Sequence, residues 1–194
     1  MALPSFILGY HGCDQSLADA VFAGKKTLNV SKNDYDWIGE GIYFWEHNEQ
    51  RALDFARAMQ DRSHPSSQKI KNPAVVGAVI NLGFCLNLLD SRYIEMVRGA
   101  HGSLERELKE AGLDLPKNTG GCDLVDRKLD CAVIKMLHEH RKEVKDQPFD
   151  SVRAAFVEGK KLYPNAGFSA QSHIQVCIRD HRQIIGYFRP ETNA

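Results

Sequence analysis

Residues 34–56 read DYDWIGEGIYFWEHNEQRALDFA, and their period changes twice. Up to Gly41 the stretch is rich in Asp and Gly, which accept tight backbone. Gly41 to Trp45 then alternates as a short strand. Tyr43 and Gly41 share one face, and Ile42 and Phe44 point the other way, into a core. From Asn48 the apolar residues Leu53, Ala56 and Met59 recur at helical spacing to about residue 62. Turn, strand and helix thus follow one another without a long connector.

Upstream, Phe6 to His11 reads as a short strand ending at Gly12. Asp14 is an N-cap for a helix that turns Leu17, Val21 and Phe22 inward and stops at Gly24. The segment TLNVS, residues 27–31, reads as extended. Downstream, RSHPSSQKIKNP is a polar connector, and AVVGAVINL is a buried strand by length and β-branching. Residues from about 90 to 141 read as helical, with a break near Gly99 and Gly102 and a loop at LPKNTGG. Asp123 caps the second part, in which Leu129, Ala132, Val133, Met136 and Leu137 share a side. SHIQVCIR and QIIGYF close the chain as two strands joined by a short turn at Asp180 to Arg182.

Strands therefore gather at both ends around a helical block and do not alternate with helices. That order predicts an α+β fold with a mainly antiparallel sheet, not a doubly wound parallel one. A length of 194 residues suits one domain, 1–194, carrying a helical insertion at about 90–141.

Lys plus Arg and Asp plus Glu are 25 each, a balance that argues against binding mainly through phosphates. The short N-terminal apolar run lacks a basic lead and is not a signal peptide. No stretch is long and apolar enough to span a membrane. The five cysteines are scattered and odd in number, which reads as reduced thiols in a cytoplasmic protein.

Several chemistries lack their motifs. There is no Walker-type phosphate loop, no GxGxxG and no HExxH. His138 and His140 are two apart and cannot chelate one metal from a single helix face, so no metal is expected. The serine of GFSAQS lacks the GxSxG frame of serine hydrolases. Three features remain: YHGC, with His11 and Gly12; GEGIYFWE, with Tyr43; and SHIQVCI, where His173 and Gln175 alternate onto one strand face. Each alone reads as ordinary core or half-exposed strand.

In this order the three features resemble the ADP-ribosyltransferase superfamily, in the branch similar to diphtheria toxin and the poly(ADP-ribose) polymerases. That branch has a His on its first strand, a Tyr in a GxGIYF strand before a helix, and usually a Glu on a late strand. YHG and GEGIYFWEHNEQRALDFA match the first two parts, and Gln175 matches the third in position only. The specific match covers about a third of the chain.

The resemblance implies a split, mainly antiparallel sheet and NAD as co-substrate. It implies cleavage of the nicotinamide–ribose bond through an oxocarbenium-like transition state. On this reading His11 hydrogen-bonds the adenosine ribose and Gly12 lets its backbone approach the nicotinamide amide. Tyr43 stacks on the nicotinamide ring, Tyr35 forms the other wall, and Ser31 lies near the ribose. Gly41 and His173 line the site, and Gln175 bonds the nicotinamide-ribose hydroxyl. An amide there carries no charge and takes no proton. Chain elongation is therefore not expected, and single transfer to a protein or nucleic-acid acceptor is. NAD hydrolysis, as in a toxin or defence protein, and a catalytically silent NAD- or ADP-ribose-binding module are the alternatives. Glu158 in FVEGKKLYP is either a solvated helix-end charge or a second candidate acid. Phosphate-transferring relatives acting on RNA would need basic pocket residues, for which Arg179, in phase with Gln175, is a candidate.

Overall fold

The structure is a computed structural model that describes residues 6–61 and 70–191. The elements run β1 (Phe6–Asp14), α1 (Gln15–Phe22), β2 (Ile42–Glu46), α2 (Glu49–Asp61), β3 (Pro73–Asn81), β4 (Cys85–Asn87) and α3 (Ser91–Glu110). Then follow β5 (Asn118–Thr119), β6 (Asp126–Arg127), α4 (Lys128–Glu143), β7 (Ser151–Phe156), β8 (His173–Ile178), a 3-10 turn at His181–Gln183 and β9 (Ile184–Phe188). The connector read at 62–73 falls mostly outside the described residues.

Seven strands form one sheet in the order β4-β7-β8-β2-β1-β3-β9. Only β4 and β7 run parallel; the other pairs are antiparallel. Among the described residues the fold is α+β, with four helices and a mostly antiparallel mixed sheet.

Strand alternation divides the core. On one face Ile42, Phe44, Val76, Ala78, Ile80, Val176 and Ile178 are buried against Ala18 and Val21 of α1. On the other, Val152, Ala154, Phe156 and Cys177 meet Ile134 and Leu137 of α4, and Trp45 and Val75 meet Ala52 of α2. Burying a side chain the size of Phe44 or Ile42 contributes about 1.5–3 kcal/mol. Arg153 of β7 reaches across β8 to Glu46 of β2. Its Nε donates to Oε2 at 2.6 Å and its Nη2 to Oε1 at 2.8 Å. This bidentate pair fixes the end of β2 from which α2 departs.

Asp14 caps α1 as expected. Its carboxylate accepts from the Ser16 N–H and hydroxyl, and also from the Lys71 and Asn72 N–H groups, tying the helix start to the approach to β3. These bonds hold its pKa well below the usual carboxylate range.

Three expectations change. The first strand runs three residues past His11, to Asp14, because β3 pairs with it throughout. The helix α3 passes through Gly99 and Gly102 unbroken; each glycine costs about 1 kcal/mol, which the remaining turns offset. The second helix begins at Lys128, where Asn118 Oδ1 and not Asp123 accepts from the Leu129 and Asp130 N–H groups; Asp123 accepts from the Gly159 N–H at 3.1 Å. The closing strands β8 and β9 are joined by a short turn as expected and take separate places in the sheet. β8, buried on both faces, lies between β7 and β2, and β9 takes the edge beside β3.

Candidate functional site

β1 and β2 pair at only two positions, Gly9 with Glu46 and Tyr10 with Trp45. Beyond them β1 continues along β3 alone. His11 sits where the two strands part. Its Nδ1 lies 2.8 Å from the Tyr43 carbonyl, 32 residues away in the chain, so Nδ1 carries the proton and donates. That leaves Nε2 as an acceptor in a neutral ring. Burial lowers the His11 pKa, more than the backbone bond raises it.

An open cleft of about 1190 Å³ begins at this point, lined by His11, Gly12 and Ser31, with Phe55 and Met59 of α2 on one wall. Lys25, Lys26, Lys32 and Lys71 also line it, concentrating positive charge in a chain with no net charge. The Ser31 hydroxyl donates to Asp36 at 2.9 Å and accepts from Asn33 at 3.0 Å. Its backbone pairs with Gly41 in both directions. Asp36, buried, thus organises the 31–41 segment. An acidic residue within a turn-rich stretch gave no sequence signal for this role. Tyr35 stands exposed on the same segment.

The structure does not gather the other expected residues around this cleft. His11 packs edge-on against Phe44, with ring centroids 5.9 Å apart, on the face opposite Tyr43. Tyr43 is bound into the fold: its hydroxyl donates to the Gly39 carbonyl at 2.6 Å and accepts from the Ile38 N–H at 3.1 Å. Its ring packs against the cluster containing Ile38 and Cys177, and burial raises its pKa steeply. Gly12 has a packing reason to lack a Cβ. A Cβ there would lie 2.1 Å from the Ala52 carbonyl oxygen, so the glycine admits α2. A Cβ on Gly41 would lie 2.4 Å from the Cys177 sulfur.

Gln175 and His173 share the face of Tyr43 and Trp45. Directly paired residues point to one side, and Gln175 pairs with Trp45 on one flank and Ala154 on the other. Both are buried. His173 Nδ1 donates to the Gln171 carbonyl at 2.6 Å, and burial lowers its pKa. Glu158 is neither solvated nor on a helix. It follows β7, is 3% exposed, and accepts from Arg51 of α2 at 3.2 Å. Burial raises its pKa, and Arg51 partly offsets this. The sequence reading missed Arg51, which falls outside the apolar stripe of α2.

Arg179 is engaged elsewhere. It donates to His138 Nδ1 at 2.9 Å and to the Phe149 carbonyl at 3.3 Å, joining the end of β8 to α4. His138 is buried and His140 exposed. Among the described residues, no group of three or more His, Cys, Asp or Glu is placed to hold a metal ion. No helix there is long and apolar enough to cross a membrane.

The chain is similar to an uncharacterized protein of Methanocaldococcus jannaschii. The two are 25% identical over 189 residues, covering 88% of this chain and 81% of that protein. No family model matches the chain. No solved structure matches it.

His138 sets a pH limit on this frame. Burial, then Arg179 and Arg141, push its pKa down to about 3. The unfolded chain takes up this proton near pH 6.5. Stability is therefore full above pH 6.5 and falls as pH drops from there towards 3, by ~1.4 kcal/mol per pH unit for this one site. In urea unfolding between pH 7 and 5, His138→Gln is expected to show a shallower loss than the unaltered chain. Equal slopes would contradict the assignment.

Proposed function

We propose that the chain is an NAD-dependent mono-ADP-ribosyltransferase that binds its co-substrate in the cleft where β1 and β2 part. The observation that supports this most is the His11–Tyr43 contact. It joins the two sequence segments that resemble the superfamily, at the mouth of a cleft large enough for a dinucleotide. The neutral His11 presents Nε2 as an acceptor for a ribose hydroxyl. The lysines complement a diphosphate.

In the reaction, the bond from C1′ of the ribose to the nicotinamide nitrogen breaks. Its electron pair goes to that nitrogen, which loses its positive charge on leaving. The acceptor's lone pair forms the new bond to C1′ and the acceptor gives up a proton. Gln175 cannot take that proton. Glu158 does not line the cleft and is paired with Arg51, so the acceptor's proton passes to solvent. With water as acceptor the same steps give NAD hydrolysis, the reading that the uncharged Gln175 favours.

Calorimetric titration with NAD is expected to show saturable binding that weakens with salt. His11→Ala should weaken it about tenfold, the worth of one hydrogen bond at a partly buried site. Absence of binding, or binding indifferent to His11→Ala, would contradict the assignment of the cleft.

A further inference from the structure

The chain has two tryptophans, Trp37 and Trp45, and both lie beside His173, at centroid distances of 6.4 and 6.3 Å. Phe156 packs 5.6 Å from His173 and 4.7 Å from Trp37. An arginine covers each indole: Arg127 at 4.3 Å from the Trp37 centroid and Arg51 at 5.7 Å from that of Trp45. The terminal nitrogens of Arg127 are held by Asp130 at 3.4 Å and by the Asp123 carbonyl at 3.1 Å.

Within this group five buried polar atoms have no hydrogen-bond partner among the described residues: Trp45 Nε1, Arg51 Nε, Arg127 Nε, Glu158 Oε1 and His173 Nε2. Buried polar groups are otherwise paired. Three are donors. Glu158 Oε1 is an acceptor. So is His173 Nε2, because its Nδ1 spends the ring proton on Gln171.

We propose that this cluster is a binding site for a guanine base. Aromatic side chains and guanidinium planes offer flat surfaces on which a base stacks. Guanine presents three acceptors, N3, O6 and N7, and two donor groups, N1–H and the 2-amino group. That inventory complements three donors and two acceptors. Adenine has a single donor group, and cytosine and uracil have fewer acceptors. Arginine donating to guanine O6 and N7 is the commonest specific base contact in nucleic-acid recognition. Because the five atoms are closed to solvent, the base enters when Arg51 and Glu158 part, the contact that joins α2 to the segment after β7. The site is independent of the NAD reading and would stand if that reading failed.

Both tryptophans belong to the cluster, so intrinsic fluorescence reports on it, and the differences between bases separate it from the cleft that Phe55 lines beside Trp45. Titration with GMP is expected to change the emission saturably. IMP, which lacks the 2-amino group, should bind about tenfold more weakly, and AMP weaker still. The three carry the same phosphate, so the differences isolate the base, and the unaltered chain serves throughout. Glu158→Gln should weaken GMP about tenfold with its circular dichroism unchanged. No saturable response to GMP, or responses to GMP, IMP and AMP of equal strength, would overturn the proposal. NAD cleavage, measured separately, bears on neither result.

Discussion

Gly12→Ala is expected to abolish or severely weaken folding, by about 4 kcal/mol or more. The added methyl would lie 2.1 Å from the Ala52 carbonyl oxygen and 3.3 Å from the Ala56 Cβ. The first of these is helix backbone, which no rotamer change can move. Relief requires α2 to lift from β1, exposing Trp45, Ala52 and Val75, which pack together there. Thermal unfolding checks this. A melting temperature within about 2 °C of the unaltered chain would show that α2 does not approach so closely. The outcome also separates two explanations of the YHG segment. A glycine kept for ligand approach would cost binding but little stability.

Tyr43→Phe is expected to destabilise by about 2–3 kcal/mol. The hydroxyl serves the Gly39 carbonyl and the Ile38 N–H at once; its loss orphans the N–H and leaves the carbonyl only the weak Cys177 thiol donor at 3.7 Å. A tyrosine that only stacked on a nicotinamide ring would tolerate phenylalanine, which keeps the ring. Urea unfolding decides between them: a midpoint unchanged by Tyr43→Phe would release Tyr43 from its structural role.

The stretch from 34 to 56 was legible because each segment carries its own period, and the structure places a turn, β2 and α2 there in that order. Asp14 was legible as a cap because capping is local. What was not legible depends on partners distant in the chain. The β7 segment SVRAAF has two alanines and an arginine and becomes a strand by pairing with β8 and β4. Glu158 is drawn inward by Arg51, 107 residues away. The division of the expected site residues follows from register. His11 falls opposite Phe44, which sets its ring on the face away from Tyr43 and Gln175, and no spacing along the sequence reveals that offset.

The central proposal is that this cleft supports cleavage of NAD. The direct measurement is nicotinamide release from NAD by the purified chain, with and without a cell lysate as the source of acceptor. The expected result is release that His11→Ala reduces at least tenfold in a variant whose circular dichroism matches that of the unaltered chain. No release at high protein concentration under either condition would contradict it.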